Sequence, residues 1–145
     1  MVPEPNTRFS TAEAYALLAF VEAGGGLFVI ADHAGADRNN DGVDAVEAWN
    51  GVADELGNPF GIRFDGNDIT ESPNSNVLED AGDPVLHGAF GHVAATTYYN
   101  GATMRLDPMA NPAVKALLWR NSASRELVQV TFAVSRRGAG RVAAI

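Results

Sequence analysis

Apolar residues change their spacing along this chain, and each spacing predicts an element. Ala14, Leu17, Leu18 and Val21 recur at intervals of three and four, the period of one helical face. Ser10 stands before that run with Glu13 three residues on, a capping-box pair, and Gly24-Gly25-Gly26 ends it with backbone freedom that other residues lack. A helix between these marks leads into "LFVIA" (27–31), an apolar run without alternation. Such a run suits a strand covered on both faces of a parallel sheet. A second helix is predicted over 44–56: Asp44 and Glu47 form another capping pair, Val46, Trp49, Ala53 and Leu56 share a face, and Gly57-Asn58-Pro59 makes the stop.

The helical period vanishes beyond residue 60. Ile62 to Phe64 predicts a short strand, and the stretch rich in Asn, Asp, Ser, Gly and Pro after it predicts a long surface loop. Asn100-Gly101, set between β-prone runs, predicts a hairpin. "VKALLW" and "ELVQVTFAV" predict further strands, and "SRRGAGR" a turn into the closing "VAAI". Helix followed by buried strand is the pattern of an α/β domain.

Composition narrows what such a domain can do. A chain of 145 residues with 46% hydrophobic content is sized for one domain with its own core. Ten basic against eighteen acidic residues leave a charge of −8, which repels phosphate backbones and anionic membranes and argues against nucleic acid and membrane partners. Cysteine is absent, which removes disulfides, thiolate nucleophiles and Cys-ligated metals. The longest apolar run is far shorter than a membrane span, and the start "MVPEPNTRFS" has no signal core, so the reading is a soluble chain or the mature part of a secreted one. The triple glycine closes a helix and precedes a strand, the reverse of a phosphate loop.

Candidate chemistry gathers between the first strand and the second helix, the edge where open α/β sheets bind ligands. Asp37-Arg38-Asn39-Asn40-Asp41-Gly42 has half of a calcium loop: Asp37, Asn39 and Asp41 at side-chain positions, Gly42 at the sharp turn and Val43 as a backbone carbonyl. Position 12 is Ala48, so the remaining carboxylates would be Asp44 and Glu47. Two readings stay open, a solitary calcium site or a polar turn whose Asp44 and Glu47 cap the helix. Asp32 and His33 form a second candidate, as ligands of another divalent metal or as base and orienter, against a His packed on the next loop. His87 and His92 stand in a later segment that folding could bring toward His33.

Other candidates are weaker. No Gly-x-Ser-x-Gly surrounds Ser72, Ser75, Ser122 or Ser124. Arg136, Arg137 and Arg141 could clamp a carboxylate or phosphate, although exposed Arg at a hairpin tip is the commoner arrangement. Trp49, Trp119, Tyr98 and Tyr99 could stack on a sugar, but Trp49 has core spacing, and Tyr98 and Tyr99 point to opposite faces of an extended chain, so at most one of those two is free.

Taken together, "STAEAYALLAFVEAGGGLFVIADH", "GNPFGIRF", "GDPVLHGAFG" and the closing "GAGRVAAI" resemble the class I glutamine amidotransferase-like superfamily, in its non-amidotransferase branch of trehalose-utilisation-like and gliding-motility-accessory-like domains. The resemblance implies a flavodoxin-like three-layer fold, with a mostly parallel sheet between helices and a C-terminal β hairpin. Without a Cys nucleophile, ammonia release from glutamine is not carried over. Relatives of that kind have a strand before the first helix and continue past the last one, so residues 1–145 are expected to be a single domain, and a fragment lacking both segments.

Three functions follow as expectations. The first is a domain binding a small polar ligand or carbohydrate at the strand-end edge, with calcium ordering the 37–47 loop. The second is a metal-dependent hydrolase using Asp32, His33 and the loop carboxylates. The third is a structural or assembly module. A buried strand with a missing neighbour further predicts a homo-oligomer or a part of a larger chain.

Overall fold

The computed structural model describes residues 1–145. Its elements run β1 (Val2–Pro3), α1 (Thr11–Glu22), β2 (Gly26–Ile30), α2 (Ala45–Leu56), β3 (Ile62–Phe64), β4 (Ile69–Asn74), β5 (His87–Gly88), β6 (Gly91–His92), β7 (Thr96–Gly101), β8 (Met104–Leu106), β9 (Lys115–Trp119), β10 (Val130–Arg137) and β11 (Gly140–Ala144).

Local chemistry accounts for both helices. The Ser10 hydroxyl accepts the Glu13 N–H while the Glu13 carboxylate accepts the Ser10 N–H at 2.8 Å, the full capping box. At α2 only half of it forms: Asp44 Oδ1 accepts the Glu47 N–H at 2.8 Å, but the Glu47 carboxylate turns to Arg8 at 2.6 Å. Gly57 ends α2 in the left-handed conformation, at φ 70°.

The sheet departs from the flavodoxin-like expectation. Its order is β1-β2-β11-β10-β8-β3, with β9 also paired to β10. Only β1 with β2 and β2 with β11 are parallel; β10 is antiparallel to β11, β8 and β9, and β3 to β8. The protein is therefore mostly β with mixed sheets and two helices, and the three-layer parallel fold is incorrect. The physical reason lies in the turn at Gly138, where φ is 57°. It folds β10 back on β11 and places an antiparallel hairpin in the middle of the sheet. Only a single βαβ unit, β1-α1-β2, precedes it.

Strand β2 has neighbours on both sides, because the two residues of β1 pair with Val29 and Ile30 and β11 pairs along the other edge. The argument for an oligomer from a missing neighbour thus loses its premise. The outer edge of β3 is satisfied from α2, whose Asn50 accepts the Phe64 N–H at 3.0 Å and donates to the Phe64 carbonyl at 2.9 Å. That side chain blunts an edge which would otherwise pair with another chain.

Two further expectations fail in the second half. Asn100 does adopt a positive φ of 54°, but β7 pairs with β4 and not with β8, so no hairpin forms there. The Asn67 side chain accepts the Thr103 N–H at 2.7 Å and donates to its hydroxyl at 2.8 Å, which turns the chain toward β3. The predicted surface loop after Phe64 accordingly contains β4, and the small β5–β6 hairpin follows it.

Both helices pack on one face of the main sheet. Ala14 and Val21 of α1 and Val46, Trp49 and Val52 of α2 share a 21-residue core with Leu27, Val29, Ala133, Val142 and Ala144. On the opposite face a four-residue cluster, Val77, Leu86, Leu117 and Leu118, covers β9 and reaches Phe132 and Val134 of β10, but not Phe28 of β2 or Ala143 of β11. Phe28 and Ile30 of β2, Val134 of β10 and Ala143 of β11 lie on this second face, each partly exposed.

Candidate functional site

Residues 32–44, where the sequence places most of its chemistry, close on themselves. Asp37 accepts the Gly42 N–H at 2.7 Å and the Asp41 N–H at 3.3 Å. Asp41 accepts the Val43 N–H at 2.9 Å and the Asn39 amide at 3.0 Å. Asp44 divides its oxygens between the Glu47 N–H and the Gly35 N–H, and Glu47 pairs with Arg8. Every carboxylate predicted as a metal ligand is thus engaged with donors of the protein. No three His, Asp or Glu side chains come together in a group that could hold a metal ion. Asp37, Asn39 and Asp41 are brought together, as a tied turn; Glu47 is drawn away from them by Arg8.

Asp32 and His33 are adjacent but not arranged as base and orienter. Asp32 accepts the His33 backbone N–H at 2.8 Å and the Arg38 guanidinium at 2.9 Å. The His33 ring donates Nδ1–H to the Ala34 carbonyl at 2.9 Å, while its Nε2 stays 3.9 Å from Asp32. The bond to Ala34 raises the His33 pKa; partial burial opposes this, and the charges of Asp32, Asp68 and Asp44 add to it. An imidazole held protonated to higher pH is a weaker general base near neutrality. His87 and His92 face each other across the β5–β6 hairpin, rings stacked at 5.7 Å.

The aromatic readings come out unevenly. Trp49 lies in the core and donates Nε1–H to the Ile30 carbonyl at 3.1 Å. Trp119 is equally enclosed. Tyr98 is buried and Tyr99 exposed, as alternation along a strand requires.

The arginine cluster is where the structure adds most. Arg8, Arg38, Arg63, Arg105, Lys115, Arg120, Arg125 and Arg137 each hold a carboxylate. Of the ten cationic side chains this leaves Arg136 and Arg141. These two stand directly opposite each other in the β10–β11 register, both exposed. Like charges in that position repel, and no carboxylate forms an ion pair with either of them.

Arg136 and Arg141 flank a groove of about 740 Å³ on the second face of the sheet. Phe28, Ala143 and Val134 lie side by side across its floor, since Ala143 is the register partner of both others. Val85 and Pro84 stand along the groove, as does Met1. Lys115 reaches into it but is bound by Asp83 at 2.7 Å and Asp80 at 3.1 Å. Burial pushes the Asp83 carboxyl up, but the Lys115 ammonium and the N–H groups of Val85 and Leu86 outweigh this and hold it below its ordinary value. Lys115 is thereby neutralised within the chain, and Arg136 and Arg141 remain the unpaired cationic side chains of the groove.

Sequence reasoning named Arg136 and Arg141 but missed the apolar floor. The signal was present in "LFVIA": without alternation both faces of β2 are apolar, whereas two helices cover only one.

Comparison with known proteins yields no matching family model and no matching curated protein. Among solved structures, the mmIFT52 N-terminal domain superposes with a TM-score of 0.66 at 20% sequence identity, covering 97% of this chain and 61% of that one. A likeness at that identity concerns the fold, and this chain spans about three fifths of that structure's length. It replaces the resemblance to the class I glutamine amidotransferase-like superfamily, for which no finding speaks. No helix of the chain is long and apolar enough to cross a membrane.

Proposed function

We propose that this chain is an assembly module that docks a partner protein on the open face of its main sheet. One observation carries the reading: the row Phe28, Ala143, Val134 is apolar, partly exposed and bordered by the only two Lys or Arg side chains without a carboxylate. A contiguous apolar patch rimmed by polar groups is the surface signature of protein interaction. The likeness to a domain described as N-terminal, and so part of a longer protein, supports a modular role.

The alternatives have less behind them. Hydrolysis through Asp32 and His33 would have to displace Arg38 and use an imidazole already donating to Ala34. Calcium at the 37–47 loop, or another divalent metal there, would compete with N–H donors for every predicted carboxylate. A carbohydrate or other small polar ligand at the strand-end edge would meet the same closed loop.

Photo-crosslinking in the protein's native cells tests the docking reading. A benzoylphenylalanine placed at Val85, beside the groove, is expected to yield an adduct to another polypeptide. The same probe at Tyr15, exposed on α1, should give none. Absence of an adduct at Val85, or equal adducts at both positions, would defeat the proposal.

A further inference from the structure

We propose that the docked partner presents an acidic, apolar segment, with a carboxylate set against Arg136 and Arg141 and apolar side chains against Phe28 and Val134. This deepens the docking reading and rests on it. The argument is one of complementarity. In a chain of net charge −8 carrying eighteen acidic residues, an exposed Arg has an acidic neighbour in most places, and the other Arg residues do find one. Arg136 and Arg141 do not, although they oppose each other across a hairpin. A carboxylate between them would relieve that repulsion and accept bidentate hydrogen bonds from either guanidinium.

Geometry also orders the segment. Arg136 and Val134 are two residues apart on one strand, as are Arg141 and Ala143 on the next, so the charged row and the apolar row lie about 6.7 Å apart. An extended partner with its acidic residue two positions from an apolar one spans that distance. The Lys115, Asp80 and Asp83 group, which carries a net negative charge, lies beside the apolar row and disfavours a second carboxylate there. A second copy of this chain is a poorer occupant, because a two-fold contact centred on the charged row would bring Arg136 and Arg141 against themselves. Long-range repulsion between acidic chains is screened within about 8 Å at physiological salt, so the local pair decides the contact.

Three fluorescent twelve-residue peptides serve as probes, with Glu-Ser-Leu-Ser, Lys-Ser-Leu-Ser or Glu-Ser-Ser-Ser as the repeat, so that charge and Leu fall two positions apart on one face of an extended chain; they are called Glu-Leu, Lys-Leu and Glu-Ser. Their binding to the purified chain is read by anisotropy at low and physiological salt. The Glu-Leu peptide is expected to bind at least about tenfold more tightly than either other, weakening as salt rises. The doubly charge-reversed variant, Arg136→Glu with Arg141→Glu, should invert the preference toward Lys-Leu. Arg141→Gln, a milder change, should lower Glu-Leu affinity several-fold at unchanged melting temperature. If Lys-Leu binds the parent as tightly as Glu-Leu, the inference on charge is wrong while the docking face stands. If no peptide binds, both are wrong.

Discussion

Replacing the first two apolar residues of "LFVIA" separately measures how the sheet is covered. Leu27 faces the helices and is 4% exposed, so Leu27→Ala leaves an enclosed cavity. Such a change costs about 3 kcal/mol, transfer and cavity terms together. Phe28, its neighbour, points to the second face and lines the groove. The side chain is larger, yet its removal widens a space already open to solvent and creates no closed void. If about 60 Å² of buried apolar area is lost, at about 25 cal/mol per Å² the cost is about 1.5 kcal/mol. In a sheet covered by helices on both faces the order would reverse, since an enclosed Phe→Ala costs about 3–5 kcal/mol. Urea titration of the parent and both variants provides the comparison, with equal slopes required before midpoints are converted to energies. A loss for Phe28→Ala equal to or above that for Leu27→Ala would refute the one-sided packing on which the docking proposal depends.

Other consequences are independent of the groove. Ser10→Ala should cost about 1 kcal/mol by removing the acceptor of the Glu13 N–H, and adding Glu13→Ala should cost less than it does alone, because the two bonds form one box; additive losses in thermal unfolding would deny that coupling. His33 has a folded-state pKa above its unfolded value, so the stability it contributes is full below the ordinary imidazole value and is lost as pH rises through the higher folded one. Relative to His33→Gln the parent should lose stability across that window, and a pH-independent difference would show that Ala34 and the nearby carboxylates do not hold the proton. Asp37→Ala removes the acceptor of the Asp41 and Gly42 N–H groups and should lower the melting temperature by the same amount with and without calcium. A gap that opens only with calcium would return the loop to the metal reading.

The parts of the fold that were legible in the sequence are those fixed by neighbours in the chain. Ser10 and Glu13 cap α1 through bonds three residues long, and Gly57 stops α2 by its own conformation. The turn between β10 and β11 is equally local. Strand pairing is not. β1 is two residues with no signal until β2 is beside it, and β4, "ITESPN", is too polar to read as a strand away from β7. At Asn100 the hairpin signal was obeyed in its φ and overridden in its partner by Asn67, more than thirty residues away. The candidate site divides the same way. Asp37, Asn39 and Asp41 share one turn through local bonds, but Glu47 is taken by Arg8 from outside it and Asp32 by Arg38, which is held in turn by Glu4. Arg136, Arg137 and Arg141 read as one group until Glu22, brought from α1, takes Arg137 out of it at 2.9 Å.

The absence of cysteine makes the central claim directly measurable, because any introduced thiol is unique. Ala133 and Val134 are successive residues of β10 on opposite faces, the first fully buried under the helices and the second in the groove. Maleimide labelling rates of Ala133→Cys and Val134→Cys would be compared in the isolated chain and in the native assembly recovered from its cells. The account predicts that position 133 is protected in both and that position 134 labels readily in isolation and is protected in the assembly. Position 134 as slow as 133 in isolation, or as fast in the assembly as alone, would contradict it.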